Sequence, residues 1–255
     1  MDYLQAAEQA ARLGGKILEA WGEKFTAREK SPANLVTEAD VASQTAIHEF
    51  LSRQFPDHGF LGEEDLLQQG TDASFRWVID PLDGTSNYVH RFPYYAVSIG
   101  LEQNGTVIAG AIYDPNRDEM FSAAVGQGAT LNGRPIQVSE NSQVSQAMCM
   151  ASLPVKVDRS HPAVLKFLEI LEVAQTVQRT GSAALNLCAV ASGRIDAFWS
   201  QSLKPWDMAA GILIVKEAGG TVTKTGGAEF CLEQPDLLAT NGTALHAGLV
   251  NCFLK

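Results

Sequence analysis

The sequence predicts an α/β protein whose first half is α+β and whose second half is α/β, on three observations. Apolar residues near the N-terminus recur at helical spacing, two Asn-Gly turns join strand-like runs in the first half, and strand-like and helix-like runs alternate beyond residue 140. The 255 residues, 45% hydrophobic and 19% charged, can bury a large core.

Leu4, Ala7, Ala11, Gly14, Leu18, Trp21 and Phe25 form one helical stripe, with charges of both signs opposite, so residues 1–25 read as a core-packing helix. A second helix is expected over Ala39 to Arg53, with Val41, Ile47, Phe50 and Leu51 as its apolar positions and Asp40 in its first turn as a capping acid. Phe75 to Ile79 is a buried strand that Asp80-Pro81 should halt, because proline fixes φ and donates no hydrogen bond. Tyr95 to Leu101 and Thr106 to Ile112 form a hairpin through Gln103-Asn104-Gly105, and Asn132-Gly133 turns the chain again after Phe121 to Leu131. The polar run Ser139 to Gln143 suggests a boundary, giving halves at 1–140 and 141–255.

The second half reads as strand Gln146 to Leu153, helix His161 to Ala174, strand Gln175 to Arg179 and helix Ser182 to Ser192, with Ser182 as N-cap. Strand Ile195 to Trp199, helix Met208 to Ala218 with Asp207 at its start, and strands Thr221 to Lys224 and Leu237 to Thr240 follow.

A net charge of −10 and a pI near 4.9 argue against nucleic acid or an anionic membrane as main partner. Cys149, Cys188, Cys231 and Cys252 have no zinc or disulfide spacing, no apolar run reaches membrane-spanning length, and a cytoplasmic protein is expected. The five histidines share no metal-ligand spacing, and no GxSxG, Walker or GxGxxG motif follows a strand.

The chemistry concentrates in Trp77 to Tyr88, WVIDPLDGTSNY. Asp80 and Asp83 bracket a turn, so their carboxylates and the Leu82 carbonyl can meet at a cation, and Gly84 permits close backbone approach. If Thr85 opens a helix, its free N–H groups face an anion. Read alone, Asp-Pro and Asp-Gly serve equally as ordinary turn dipeptides, and the acids Glu63, Glu64 and Asp65 as a solvated turn.

With GEED at Gly62 to Asp65, LVTEAD at Leu35 to Asp40, GSAA at Gly181 to Ala184 and KPWDMAAG at Lys204 to Gly211, that stretch resembles the inositol monophosphatase family of Mg²⁺-dependent phosphatases, in the family's order and across nearly the whole chain. The resemblance implies a layered αβαβα fold with the metals where the halves meet, the first half carrying most of the ligands and the second supplying Asp207. It implies Glu63, Asp80, the Leu82 carbonyl, Asp83 and Asp207 as ligands of two or three Mg²⁺ ions, all hard oxygen donors. By the same resemblance Glu63, with Glu64 in support, and Thr85, oriented by Asp40, activate water for in-line attack. Lys30 lies near the metals, Gly84 and Thr85 hold the phosphate, and Gly181, Ser182, Ala183 and Asp207 touch the substrate. Relatives commonly form homodimers.

Many inositol-type members carry, seven residues before the metal-binding Asp of the WD motif, a Glu that contacts a substrate hydroxyl, and Ser200 stands there, so the resemblance places Ser200 at the substrate. Inositol 1-monophosphate is the default substrate. Fructose 1,6-bisphosphate, histidinol phosphate and 3′-nucleotides are alternatives of the same superfamily, and a non-catalytic phosphate-sugar binding module is the reading from another class.

Overall fold

The computed structural model describes residues 2–22, 24–31 and 34–254, with side chains outside 29–36, so Lys30, expected near the metals, lies outside what is described. Helices α1 (Tyr3–Trp21) and α2 (Glu38–Gln54) are separated by the hairpin β1 (Arg28–Ser31) and β2 (Asn34–Val36). Strands β3 (Gly59–Gly62), β4 (Leu67–Gln68), β5 (Phe75–Asp83), β6 (Ala96–Gln103), β7 (Thr106–Asp114), β8 (Glu119–Ala124), β9 (Ala129–Leu131) and β10 (Arg134–Pro135) make one sheet. Its order is β10-β9-β8-β7-β6-β5-β3-β4, and the short helix α3 (Thr85–Val89) follows β5. The rest of the chain supplies β11 (Met148–Ser152), α4 (Pro162–Val173), β12 (Thr176–Gln178), α5 (Ala183–Ala191), β13 (Ala197–Ser200), α6 (Pro205–Glu217), β14 (Thr221–Thr223), β15 (Leu237–Thr240) and α7 (Ala244–Phe253). These strands form a second, mixed sheet, β12-β11-β13-β15-β14.

Helices and sheets stack in five layers. Buried Ala6, Ala7, Ala10 and Leu18 of α1 and Ile47 and Leu51 of α2 pack on Trp77, Ile79, Ala109 and Ala111 of the first sheet. The opposite face of that sheet, with Val78 and Ile112, packs on α5 and α6, which also meet Phe198 and Ala239 of the second sheet. Helices α4 and α7 close the far side through Ile170, Leu245 and Leu249 against Trp199 and Leu238. The alternation of Trp77 and Ile79 with Val78 is the period-2 pattern of a strand covered on both faces. Among the described residues no helix is long and apolar enough to cross a membrane.

The differences from the sequence expectation are local. The first sheet is antiparallel except that β3 runs parallel to β5. Residues 121–131 are two strands parted by a turn with positive φ at Gly126 and Gly128. Val41, expected on the apolar face of α2, is 50% exposed. Helix α6 begins at Pro205, so Asp207 sits inside its first turn. Helix α7 was not anticipated, although Thr243 caps it and Leu245 and Leu249 are buried at i,i+4 spacing. Pro81 does not end the strand, and that matters most for the site.

Candidate metal centre

Strand β5 continues past Pro81 to Asp83 through a bulge. Asp80 pairs with Ser98 and Asp83 with Ala96, so three steps on β5 oppose two on β6. In a regular strand Asp80 and Asp83 would face opposite sides of the sheet. The extra residue removes that conflict: Leu82 joins the α1/α2 core, while Asp83 turns to the same side as Asp80, toward α5. Pro81 is tolerated because a bulge does not need its N–H. The Leu82 N–H donates to Asp80 Oδ1 at 3.0 Å, and the Ser43 hydroxyl of α2 donates to the Pro81 carbonyl at 3.1 Å.

Helix α6 brings the third acid. Gly100 and Gly110 let it lie directly on β6 and β7, since a Cβ at either would come within 2.9 Å of Ala209 or Ala210. Asp207, two residues earlier in α6 than Ala209, accepts a 2.7 Å bond from the Lys204 N–H. Oxygens of Asp80, Asp83 and Asp207 all lie within 4.8 Å of one another. Glu63 arrives through the parallel pairing of β3 with β5: Gly62 is in register with Ile79, and the Glu63 N–H donates to the Ile79 carbonyl at 3.3 Å. Its carboxylate is close enough to act electrostatically on Asp80 and Asp207. The following turn is pinned to α2, where Gln44 donates to the Glu64 carbonyl at 2.7 Å and accepts from its N–H at 3.1 Å.

Crowding shows in the titration of the trio. Burial, then Glu63, Asp83 and Asp207, raises the Asp80 carboxyl well above the ordinary range, and Asp80 is 1% exposed. Burial and the Asp83 charge push Asp207 up to about 8. Asp83 rises only to about 6, because burial is opposed by three donors from α5: the Ser182 hydroxyl at 2.5 Å and the Ala184 and Ala183 N–H groups at 2.7 and 3.2 Å.

Those three bonds settle where Ser182 and Ala183 go: they hold the Asp83 carboxylate, and Ser182 has no exposed surface. The anion at the start of α5 is thus supplied by the protein. Gly181 and Ala183 also line a cavity of about 160 Å³ beside Asp83 and Asp207, with Ser152, Leu153, Leu203 and Arg179. Ser200, expected at the substrate, is completely buried, with its hydroxyl 3.4 Å from that of Ser202. In the sequence Arg179 reads as the end of a strand, and nothing in its neighbours marks it as part of a site.

Asp40 and Thr85 meet on the other flank. Asp40 is fully buried and accepts from the Thr37 N–H and hydroxyl at 2.8 and 2.6 Å. The Thr85 hydroxyl lies 3.3 Å from Asp40 Oδ1 and 3.2 Å from the Leu82 carbonyl, and its single proton can serve one of them at a time. Gly84, at φ 98°, is the left-handed residue between bulge and α3, a conformation open to glycine without strain.

Carboxylates clustered at the edge of an apolar core repel unless protonated or joined by a cation, and an all-oxygen set suits a hard divalent ion. Fold and site together define an α/β protein with an acidic cluster that could hold a divalent cation, and comparison with known proteins supplies the class, a phosphoric monoester hydrolase. The profile of the inositol monophosphatase family matches residues 2–253. An inositol-1-monophosphatase of Synechocystis sp. is 42% identical, over 93% of this chain and 83% of that one. Inositol monophosphatase 3 of Solanum lycopersicum is 38% identical, over 99% and 95% of the two chains. The solved inositol monophosphatase of Anabaena superposes with a TM-score of 0.88 at 37% identity, covering 99% of this chain and 95% of that one. The chain belongs to the inositol monophosphatase family.

Proposed function

We propose that the protein is a Mg²⁺-dependent phosphatase of a small polyol phosphate, with inositol 1-phosphate as its substrate, working through two or three ions. The observation that carries this reading is the convergence of Asp80, Asp83 and Asp207 within 4.8 Å, with the charge of Glu63 beside them. Residues 1–140 form the half that carries most of the ligands, and residues 141–255 add Asp207 and the substrate cavity.

Asp80, Asp83, Asp207, Glu63 and the Leu82 carbonyl would hold the metal. A bound divalent cation offsets charge on the phosphoryl oxygens and lowers the pKa of water. Glu63 orients the attacking water and draws on its proton. With the Leu82 carbonyl engaged elsewhere, the Thr85 hydroxyl donates to Asp40, which leaves its own lone pairs free to accept from that water. The Gly84 and Thr85 N–H groups hold the phosphate, and Gly181 and Ala183 border the leaving alcohol. Ser182 and Ser200 act behind this surface, Ser182 through Asp83.

A homodimer belongs to the same reading: Leu165, Leu168 and Leu171 lie exposed along α4, with Val155 and Val157 exposed in the segment before it, an apolar surface that a second copy would cover. Four cysteines without disulfides suit the cytoplasm.

The test is phosphate release from inositol 1-phosphate, fructose 1,6-bisphosphate, histidinol phosphate and adenosine 3′,5′-bisphosphate, with Mg²⁺ and with EDTA. Mg²⁺-dependent release, with inositol 1-phosphate among the best monoesters, is expected. Release that persists in EDTA, or no release from any ester, contradicts the reading.

A further inference from the structure

Among the described residues, the cavity beside the carboxylate trio has one cation in its lining, Arg179. Among the described residues Arg179 makes no hydrogen bond, ion pair or ring contact, whereas Arg76, Arg117 and Arg194 each reach a carboxylate. Its backbone, by contrast, is held on both sides. Strand β12 ends at the preceding residue, Gln178, and the following one, Thr180, accepts from Asn87 Nδ2 at 2.9 Å and donates its hydroxyl to Asn186 Oδ1 at 2.6 Å. Gly181 then passes so close to Asn87 that a Cβ there would lie 3.0 Å from its amide. An unpaired guanidinium is therefore presented from a fixed support, in a protein whose net charge is −10.

We propose that Arg179 binds a second phosphate of the substrate, on a carbon away from the cleaved ester, and so sets a preference for a polyol or sugar bisphosphate over its monophosphate. The proposal deepens the phosphatase reading above and rests on it. An ester whose scissile phosphate sits at Asp80, Asp83 and Asp207 has to place its leaving group next to Asp83 and Asp207, and the cavity with Arg179 begins there. The remaining lining, Ser152, Leu153, Leu203 and the two small residues, carries no acid to repel a distal anion. Guanidinium matches phosphate in a bidentate fork, and here no internal ion pair has to be broken first. Buried Ser200 adds no competing charge.

The experiment compares kcat/KM for fructose 1-phosphate and fructose 1,6-bisphosphate, with inositol 1-phosphate as a third ester. It uses the full chain in saturating Mg²⁺, as parent, Arg179→Ala and Arg179→Lys, with circular dichroism as a check on folding. The parent should favour the bisphosphate. In Arg179→Ala the bisphosphate-to-monophosphate ratio should fall roughly 10- to 100-fold, the scale of one charged hydrogen-bonded contact, mainly through KM, and Arg179→Lys should recover part of it. Turnover of the monophosphates with a ratio that Arg179→Ala leaves unchanged, or with all esters falling together, overturns the proposal while sparing the phosphatase reading. A parent inactive on every ester removes both.

Discussion

Helices α2 and α6 begin with the same local device and use it for opposite ends. In each, an Asp at the third helical position reaches back to the N–H of the N-cap residue: Asp40 to Thr37 at 2.8 Å, Asp207 to Lys204 at 2.7 Å. Asp40 accepts from the N–H and hydroxyl of Thr37 and lies 3.3 Å from the Thr85 hydroxyl, so hydroxyl and N–H donors face its charge. Around Asp207 stand Asp83, Glu63 and Asp80, and its carboxyl rises to about 8. A capping acid with donors about it can only position something else. A capping acid among other acids belongs to a cluster that could hold a cation.

The largest expected effect separates the two. Asp207→Asn and Asp80→Asn should cut Mg²⁺-dependent phosphate release by about 10³-fold or more, the scale of losing several kcal/mol of charge stabilisation. Asp40→Asn should cost less, about 10²-fold in kcat with KM nearly kept, since it acts through the Thr85 proton. Steady-state kinetics checks both, and equal losses would erase the distinction.

A pH titration of stability sharpens it next. Asp207 titrates near 8 in the folded chain and Asp83 near 6, against an ordinary 3.8. Between these values the folded state holds protons that the unfolded chain has released, so stability falls as pH rises from about 4 through about 8. In EDTA, Tm should decline from pH 5 to pH 9, Asp207→Asn should flatten the decline, and saturating Mg²⁺ should restore stability most at the alkaline end. A Tm that stays flat in the parent would mean the acids do not repel.

The smallest effect tests the support under Asp207. Gly110→Ala would set a methyl 2.9 Å from the Ala210 Cα, and overpacking of this kind costs about 1–3 kcal/mol, read as a lower urea midpoint at unchanged slope.

The capping pattern of both helices was legible, because an acid at a helix start is a local signal. What each acid faces depends on contacts distant in sequence, 45 positions for Asp40 and Thr85 and more than a hundred for Asp207 and Asp80. Spacing alone gives no route from Asp207 to Asp80, and the glycines that let α6 lie on β6 and β7 look like any strand glycine until the helix is placed. The bulge was misread for a related reason: proline does stop a ladder, but one inserted residue lets the strand continue and turns Asp83 to the side of Asp80. At α5 the cap at Ser182 was readable, while its anion proved to be Asp83, and the buried small residues Ala183 and Ala184 were the only hint of so close an approach. Helix α7 could have been found from Thr243 and the Leu245–Leu249 pair.

The most direct measurement is a calorimetric titration of Mg²⁺ at pH 8 into the parent, Asp40→Asn and Asp207→Asn. The account predicts binding in the parent and in Asp40→Asn, and a loss of at least one site in Asp207→Asn. Undiminished binding in Asp207→Asn, or loss in Asp40→Asn alone, would contradict it.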